Sequence, residues 1–293
     1  MVDEVEFSIL LPIVFNCLRL ADYIENVANI GITNQLEFLT FALLFKAYMK
    51  VLVCMSVVPD TTTKITFTDN NTTFNAQGVQ FIMNPYDELA LTKALDIVEP
   101  AGGSVTILHV GPADAEPAIR KALSMGANDA VRINAVPTDS QFVAEQIAAY
   151  AKDKGFDFIL TGRESIDYNG GAVCGLLGAM LNIPSINVIT QLSISGQTAT
   201  LERDIDGGRE TVSCSMPFVA SAQKDLCEPR IPNMRGIMAA RTKPLQVVEV
   251  ASGASHVSYA NFELPQPKQG VRMISAENPE ELLHLLRNEA KVI

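Results

Sequence analysis

The sequence predicts an α/β fold: a mainly parallel, doubly wound sheet, an antiparallel extension of that sheet, and a C-terminal arm suited to wrapping a partner. Three observations carry this reading. From residue 50 to about 190, apolar runs of strand length alternate with stretches of helix length, the pattern of a parallel sheet covered by helices on both faces. After Pro184, three strand-like segments follow one another across short polar turns, which predicts antiparallel pairing. From Asp225 the periodicity fades into a long proline-containing loop, a Ser/Gly/Pro-rich stretch and one last helix, a poor design for a self-contained monomer.

Val51 to Met55 is a continuous apolar run, as a strand buried on both faces should be. Ile65-Thr66-Phe67-Thr68 alternates ahead of Asp69-Asn70-Asn71, predicting a surface hairpin. In "MNPYDELALTKALDIVE", Asn84 stands where a cap belongs, Pro85 suits the first helical position, and Asp87 lies near the positive helix end. Leu89, Leu91, Ala94, Leu95 and Val98 supply that helix with an apolar stripe. Ser104 to Val110 reads as a strand, Ala115 to Leu123 as a helix, and Ala130 to Ile133 as a short strand. Asp139 to Lys154 is an alanine-rich helix, Phe156 to Leu160 a strand, and Ala172 to Leu181 a helix. Ile186 to Leu192, Ala199 to Ile205 and Glu210 to Ser215 follow as strands, and Phe218-Val219-Ala220 adds another. A final helix over Asn278 to Lys291 carries Leu282, Leu283, Leu285 and Leu286.

Residues 1 to 48 differ from the rest. Their two apolar runs, Ile9 to Phe15 and Phe38 to Phe45, fall short of the roughly 18 residues needed to cross a bilayer. No cationic segment precedes the first run, and the many acids argue against an organelle transit peptide. A strand-like start at Met49-Lys50-Val51 leads to the expectation that Met49 is the native start, with an accessory helical arm as the alternative. The chain then divides into a nucleotide-binding α/β domain (49–224), a partner loop (225–243) and a C-terminal arm (244–293).

Composition narrows the function. A formal charge of -11 over 293 residues sets aside nucleic acid and anionic membrane as partners. The five cysteines include no Cys-x-x-Cys, so neither a disulfide framework nor a zinc site is expected. His109, His256 and His284 are far apart, which speaks against a histidine-based metal site or catalytic triad. Asp204, Asp206 and Glu210 flank a Gly-Gly turn and read as a solvated hairpin end rather than an acid/base pair. A side-chain-only enzyme is not supported.

"TGRESIDYNGGAVCGLLGAML" (161–181) is the stretch that suggests chemistry: an apolar strand feeds a glycine-containing turn that opens a helix. In open α/β sheets, ligands sit at the carboxyl ends of the strands. Four segments lie at such ends: Cys54, Asn84-Pro85-Tyr86-Asp87, Val110, and the run from Gly162 to Val173. In that run the backbone of Gly162, Gly170, Gly171, Ala172 and Val173 can approach a phosphate at the following helix N-terminus, and Arg163 can add charge. Glu164, Ser165, Ile166, Asp167, Tyr168 and Asn169 complete the turn. Neither G-x-G-x-x-G nor G-x-x-x-x-G-K-[ST] occurs, and a plain tight turn explains the two glycines as well.

"MNPYDELALTKAL", "VGPADAEPAIRKALSMGAND", "GRESID", "ERDIDGGRET" and "CEPRIPNMRGIM", in this order, resemble the β subunit of electron transfer flavoprotein. The resemblance implies an adenine nucleotide alpha hydrolase-like fold and a heterodimer with a larger α subunit, located in the bacterial cytoplasm. It implies FAD shared with that subunit and held mostly by it, and AMP in this chain, with family AMP contacts falling on the four segments above. It further implies electron transfer from acyl-CoA or other flavin dehydrogenases to a quinone oxidoreductase. Asp225 to Lys243 resembles the family's recognition loop, with Met234 at its apolar anchor and Arg230 and Arg235 placed to steer acidic partners. One departure is visible: Gly171-Ala172-Val173-Cys174 stands where many relatives have Asn-Gln-Thr-Gly, so side-chain donors to a phosphate are lost and backbone donors remain. Two other readings stay open, an electron-bifurcating subunit with a second redox FAD and a stand-alone adenine-nucleotide sensor.

Overall fold

The computed structural model describes residues 48–267 and 270–293, so the expectations for residues 1–47 lie outside the described part. The described chain forms two compact units: residues 80–257 with the segment up to Thr61, and Thr62–Val79 with Ser258–Ile293.

The first unit is built on a nine-stranded sheet. Its strands are β1 (Met49–Met55), β6 (Gly103–Val110), β7 (Asp129–Asn134), β8 (Phe158–Gly162), β9 (Ser185–Ser195), β10 (Thr198–Ile205), β11 (Gly208–Ser215), β12 (Phe218–Ala222) and β13 (Leu245–Glu249). They run in the order β11-β10-β9-β12-β8-β1-β6-β7-β13. A small pair, β2 (Val57–Pro59) with β5 (Phe81–Met83), extends the end of β1.

Alternation along the strands sorts the core into two layers. Val51, Val53, Met55, Val105 and Ile107 face α1 (Pro85–Ala101) and α2 (Glu116–Met125). Leu52, Cys54, Leu108, Val110 and Ile159 face α3 (Ser140–Ala151) and α4 (Val173–Leu181). A strand buried on both faces needs apolar residues at successive positions, which is why these runs do not alternate with polar residues. Phe158 and Phe218, on neighbouring strands, stack at 5.4 Å in the first layer.

The strand order places the switch point. From β1 the chain winds through α1 to β6 and through α2 to β7, all on one side of β1. It then crosses by α3 to β8, on the other side of β1. Connections therefore leave in opposite directions from the β1/β8 boundary, and a crevice opens at the carboxyl ends of these two strands.

Two features go beyond the sequence expectation. The added strand Phe218–Ala222 is inserted parallel between β8 and β9, and β10 is the strand that runs against the others, pairing antiparallel with both β9 and β11. The backbone of β12 can pair on both edges there, and its side chains are buried throughout. Leu245–Glu249, expected as the start of the arm, pairs parallel to β7 as the far edge of the sheet. Half-exposed edge strands lack the continuous apolar run by which central ones are read.

The second unit holds the expected hairpin, β3 (Phe67–Thr68) with β4 (Thr73–Phe74). Its turn takes positive φ at Asp69, Asn70 and Asn71, residue types that tolerate this region. Phe262 stacks on Phe67 at 5.0 Å and donates its amide to Asn71 O. The last helix, α6 (Pro279–Leu285), passes into a π-type turn over Leu286–Ala290 and buries none of its residues.

Candidate functional site

The crevice between β1 and β8 brings three of the four predicted segments together. The organiser is Asp87, in the first turn of α1 and buried. Its carboxylate accepts from Ser56 N at 2.7 Å, Ser56 Oγ at 2.8 Å and Gly162 N at 2.8 Å. One side chain thus ties the end of β1, the end of β8 and the start of α1. Burial pushes its carboxyl up to about 6, against the opposing hydrogen bonds of Ser56 and Gly162. Gly162 is required here: a Cβ would collide with Asp87 Oδ1 and sit 2.8 Å from Tyr86 Cβ. Asp87 is therefore a staple beneath the crevice, a role its position in a first helical turn did not reveal.

Asn84 precedes α1 but its side chain does not cap it. It reaches across to the β8 loop, where Nδ2 donates to Glu164 O at 2.9 Å. Asn84 is fully buried, and its Oδ1 has no partner among the described residues. Such an acceptor is costly unless a donor meets it. Pro85 is exposed and Tyr86 half-buried at the same helix start.

After Gly162 the loop closes on itself. Arg163 N donates to Ala222 O, and its guanidinium lies against Gln223 Oε1 at 3.4 Å and Glu164 Oε2 at 3.5 Å. Ser165 N donates to Gly170 O, the Ser165 hydroxyl bonds the Asp167 carboxylate, and Tyr168 N donates to Asp167 Oδ1. Ile166 is half-buried, and Asn169 turns the chain with φ 52°. Gly171, Ala172 and Val173 follow at the start of α4. Among the described residues, nothing accepts a hydrogen bond from their three amides. No side chain caps this helix. Uncapped amides at the positive end of a helix have the polarity that suits an anion.

Cys54 lines the same end of β1, buried, and burial with the nearby Asp87 charge pushes its thiol far up. Burial likewise pushes Cys174 up to about 12, so both thiols favour the protonated form. Val110 is buried one strand further on. Beside it His109 Nδ1 donates to Met55 O at 2.9 Å, and burial lowers its pKa.

Several residues at this crevice escaped the sequence reading. Ser56 and Gln223 are polar residues directly after apolar strands, a signal that was available. Asn187 on β9 has an Oδ1 without a partner among the described residues and lies near Gly175 of α4. Among the described residues no group of three or more His, Cys, Asp or Glu side chains can hold a metal, and no helix is long and apolar enough to cross a membrane.

The loop 225–243 contains a helix, α5 (Met234–Ala240), capped by Asn233, whose Oδ1 accepts from Gly236 N at 2.8 Å. Gly236 seats it on α2; a Cβ there would collide with Ser124 O. Met234 is 75% exposed, so it is not a core methionine, and Ile231 is 87% exposed beside it. Arg235 is exposed, whereas Arg230 is occupied within the chain. Its guanidinium bonds Asp96 at 2.8 Å and Glu99 at 2.6 Å. Lys243 donates to Leu123 O and Ala127 O at the end of α2. These two cations anchor the loop.

Fold and topology together define a doubly wound α/β protein with a crevice at its switch point. The family profile "Electron transfer flavoprotein domain" matches residues 71–252. The chain is 36% identical over 259 residues to the electron transfer flavoprotein subunit beta of Bacillus subtilis, covering 84% of this chain and all of that protein. The subunit beta of Syntrophomonas wolfei is 34% identical over 250 residues, 83% of this chain and 98% of that one. A mitochondrial subunit beta of Oryza sativa subsp. indica is 30% identical over 258 residues, 84% of this chain and all of that one. The chain belongs to the electron transfer flavoprotein family, with subunit beta relatives over most of its length.

Proposed function

We propose that this chain is the β subunit of a heterodimeric electron transfer flavoprotein that binds AMP at the β1/β8 crevice and shares FAD with an α subunit. Electrons pass from acyl-CoA or other flavin dehydrogenases to a quinone oxidoreductase, and the flavin supplies the redox chemistry. The observation that supports the AMP assignment is the set of three amides at Gly171, Ala172 and Val173, without acceptors among the described residues, in the loop that follows β8 at the switch point. They suit the phosphate. Asn84 Oδ1, buried and unpartnered, suits a hydroxyl or amino donor of the nucleoside. The Asp87 carboxylate takes up the amides of Ser56 and Gly162, which directs an anion toward α4 rather than β1.

The test is to co-express the chain with its α subunit, release the nucleotides and count them. One FAD and one AMP per dimer is the expected result. Two FAD would mean a bifurcating subunit, and adenine nucleotide on a lone chain that recruits no flavin partner would mean a sensor.

The α5 surface is the proposed dehydrogenase contact, with Met234 as its apolar anchor and Arg235 as an exposed cation. Met234→Ala should lower kcat/KM for reduction by a dehydrogenase by about 5–30-fold, as truncation of an interface anchor does. Flavin content should not change, and urea unfolding should move by less than about 0.5 kcal/mol, because the side chain is exposed. Loss of flavin with unaltered reduction kinetics would contradict the assignment.

A further inference from the structure

After β13 the chain runs along α3 against the direction of the helix, and its contacts there are polar. Ala251 N donates to Gln146 Oε1 at 2.7 Å, and Gln146 Nε2 returns a bond to Ala251 O at 3.2 Å. Gln146 is 1% exposed. Gly253 lies flush on the helix, where a Cβ would stand 2.8 Å from Gln146 Nε2 and 2.9 Å from Glu145 Oε2. At the start of α3, Asp139 Oδ2 accepts from Ser255 Oγ at 3.2 Å, His256 N at 2.5 Å and Val257 N at 3.0 Å. The other oxygen, Oδ1, caps the helix through Phe142 N at 2.7 Å. These donors, Phe142 foremost, hold the carboxyl down at about 2, so it stays charged at any physiological pH.

The side chains of 251–257 are all exposed. No apolar burial holds this segment on the helix, so it can open locally without unfolding the sheet. Val257 is also the last residue of the first compact unit.

We propose that Asp139 is a latch: one oxygen caps α3, and the other fixes the residue from which the C-terminal arm departs. With the latch closed the arm starts at Ser258. With it open Ala251 stays held by Gln146 and the tether lengthens by the six residues 252–257, up to about 20 Å of extended chain. A longer tether lowers the effective concentration of whatever the arm grips. Only this last consequence rests on the proposed pairing with an α subunit.

Asp139→Ser separates the two roles, because serine still caps a helix but is too short to reach His256 and Val257. Hydrogen–deuterium exchange on the full-length chain is expected to show the His256 and Val257 amides exchanging at least tenfold faster in the variant. Protection at Phe142 and along α3 should persist. Gly253→Val, which wedges the segment off the helix without touching Asp139, should produce the same release. Unchanged exchange at His256 and Val257 overturns the latch, as does a loss of protection shared by the whole of α3. In the complex, Asp139→Ser should weaken binding of the α subunit by about threefold or more. A wild-type chain that bound no α subunit would sink the pairing while leaving the exchange result to decide the latch.

Discussion

Asp87→Ala is expected to destabilise the α/β unit by about 1–4 kcal/mol at neutral pH and to abolish the proposed AMP binding. Two effects compete. Removing the carboxylate relieves the cost of keeping a charge buried. With the carboxyl at about 6 in the fold and 3.8 as its ordinary value, that cost is about 3 kcal/mol for the ionised form. Against this, three donors lose their acceptor: Ser56 N, Ser56 Oγ and Gly162 N. Each buried donor left unpaired costs about 1–3 kcal/mol, and the side chain leaves a void as well, so the loss outweighs the relief. Asp87→Asn isolates the charge. A carboxyl raised on folding contributes stability that is complete below pH 3.8 and disappears as pH rises through about 6. Wild type should therefore lose stability relative to Asp87→Asn between pH 4 and pH 7, and the difference in urea midpoint between the two proteins measures it. Equal pH profiles would mean that the carboxylate is not buried as described.

How much of this was legible in the sequence depends on how local the cause is. Val51–Met55 and Phe158–Leu160 announce central strands because both faces are covered, and such strands carry no polar alternation. The loop after Gly162 was legible for a related reason: an apolar strand that meets glycines and then a helix is a local pattern. The place of β12 was not legible because nothing in Phe218-Val219-Ala220 says which neighbours it pairs with; its insertion between β8 and β9 is set by the sheet as a whole. The role of Arg230 was hidden likewise. A cation in a loop reads as a steering charge until Asp96 and Glu99, more than 130 positions away, are seen beside it. Asn84 matched a cap by position and lost that role because the bond to Glu164 O competes for the same side chain.

The coupling between Asp87 and Gly162 gives the sharpest quantitative test of the staple. Gly162→Ala places a methyl against Asp87 Oδ1, at 2.8 Å from Tyr86 Cβ and 3.1 Å from Asn84 Nδ2. Asp87 cannot retreat without giving up Ser56, and Tyr86 Cβ moves only with the backbone of α1. Overpacking of this kind costs about 1–3 kcal/mol, and straining the Gly162 N–H bond adds about 1 kcal/mol more. Single substitution should thus destabilise by about 2–4 kcal/mol and displace the loop that presents Gly171–Val173. In the Asp87→Ala background the carboxylate is gone and the new methyl enters the space it left. The double variant should therefore be more stable than the two single losses predict, by about 1–2 kcal/mol. Urea unfolding of the four proteins yields that coupling directly. An additive result would place the collision on Tyr86 and Asn84 instead, and would remove the carboxylate as the reason that only glycine fits at the end of β8.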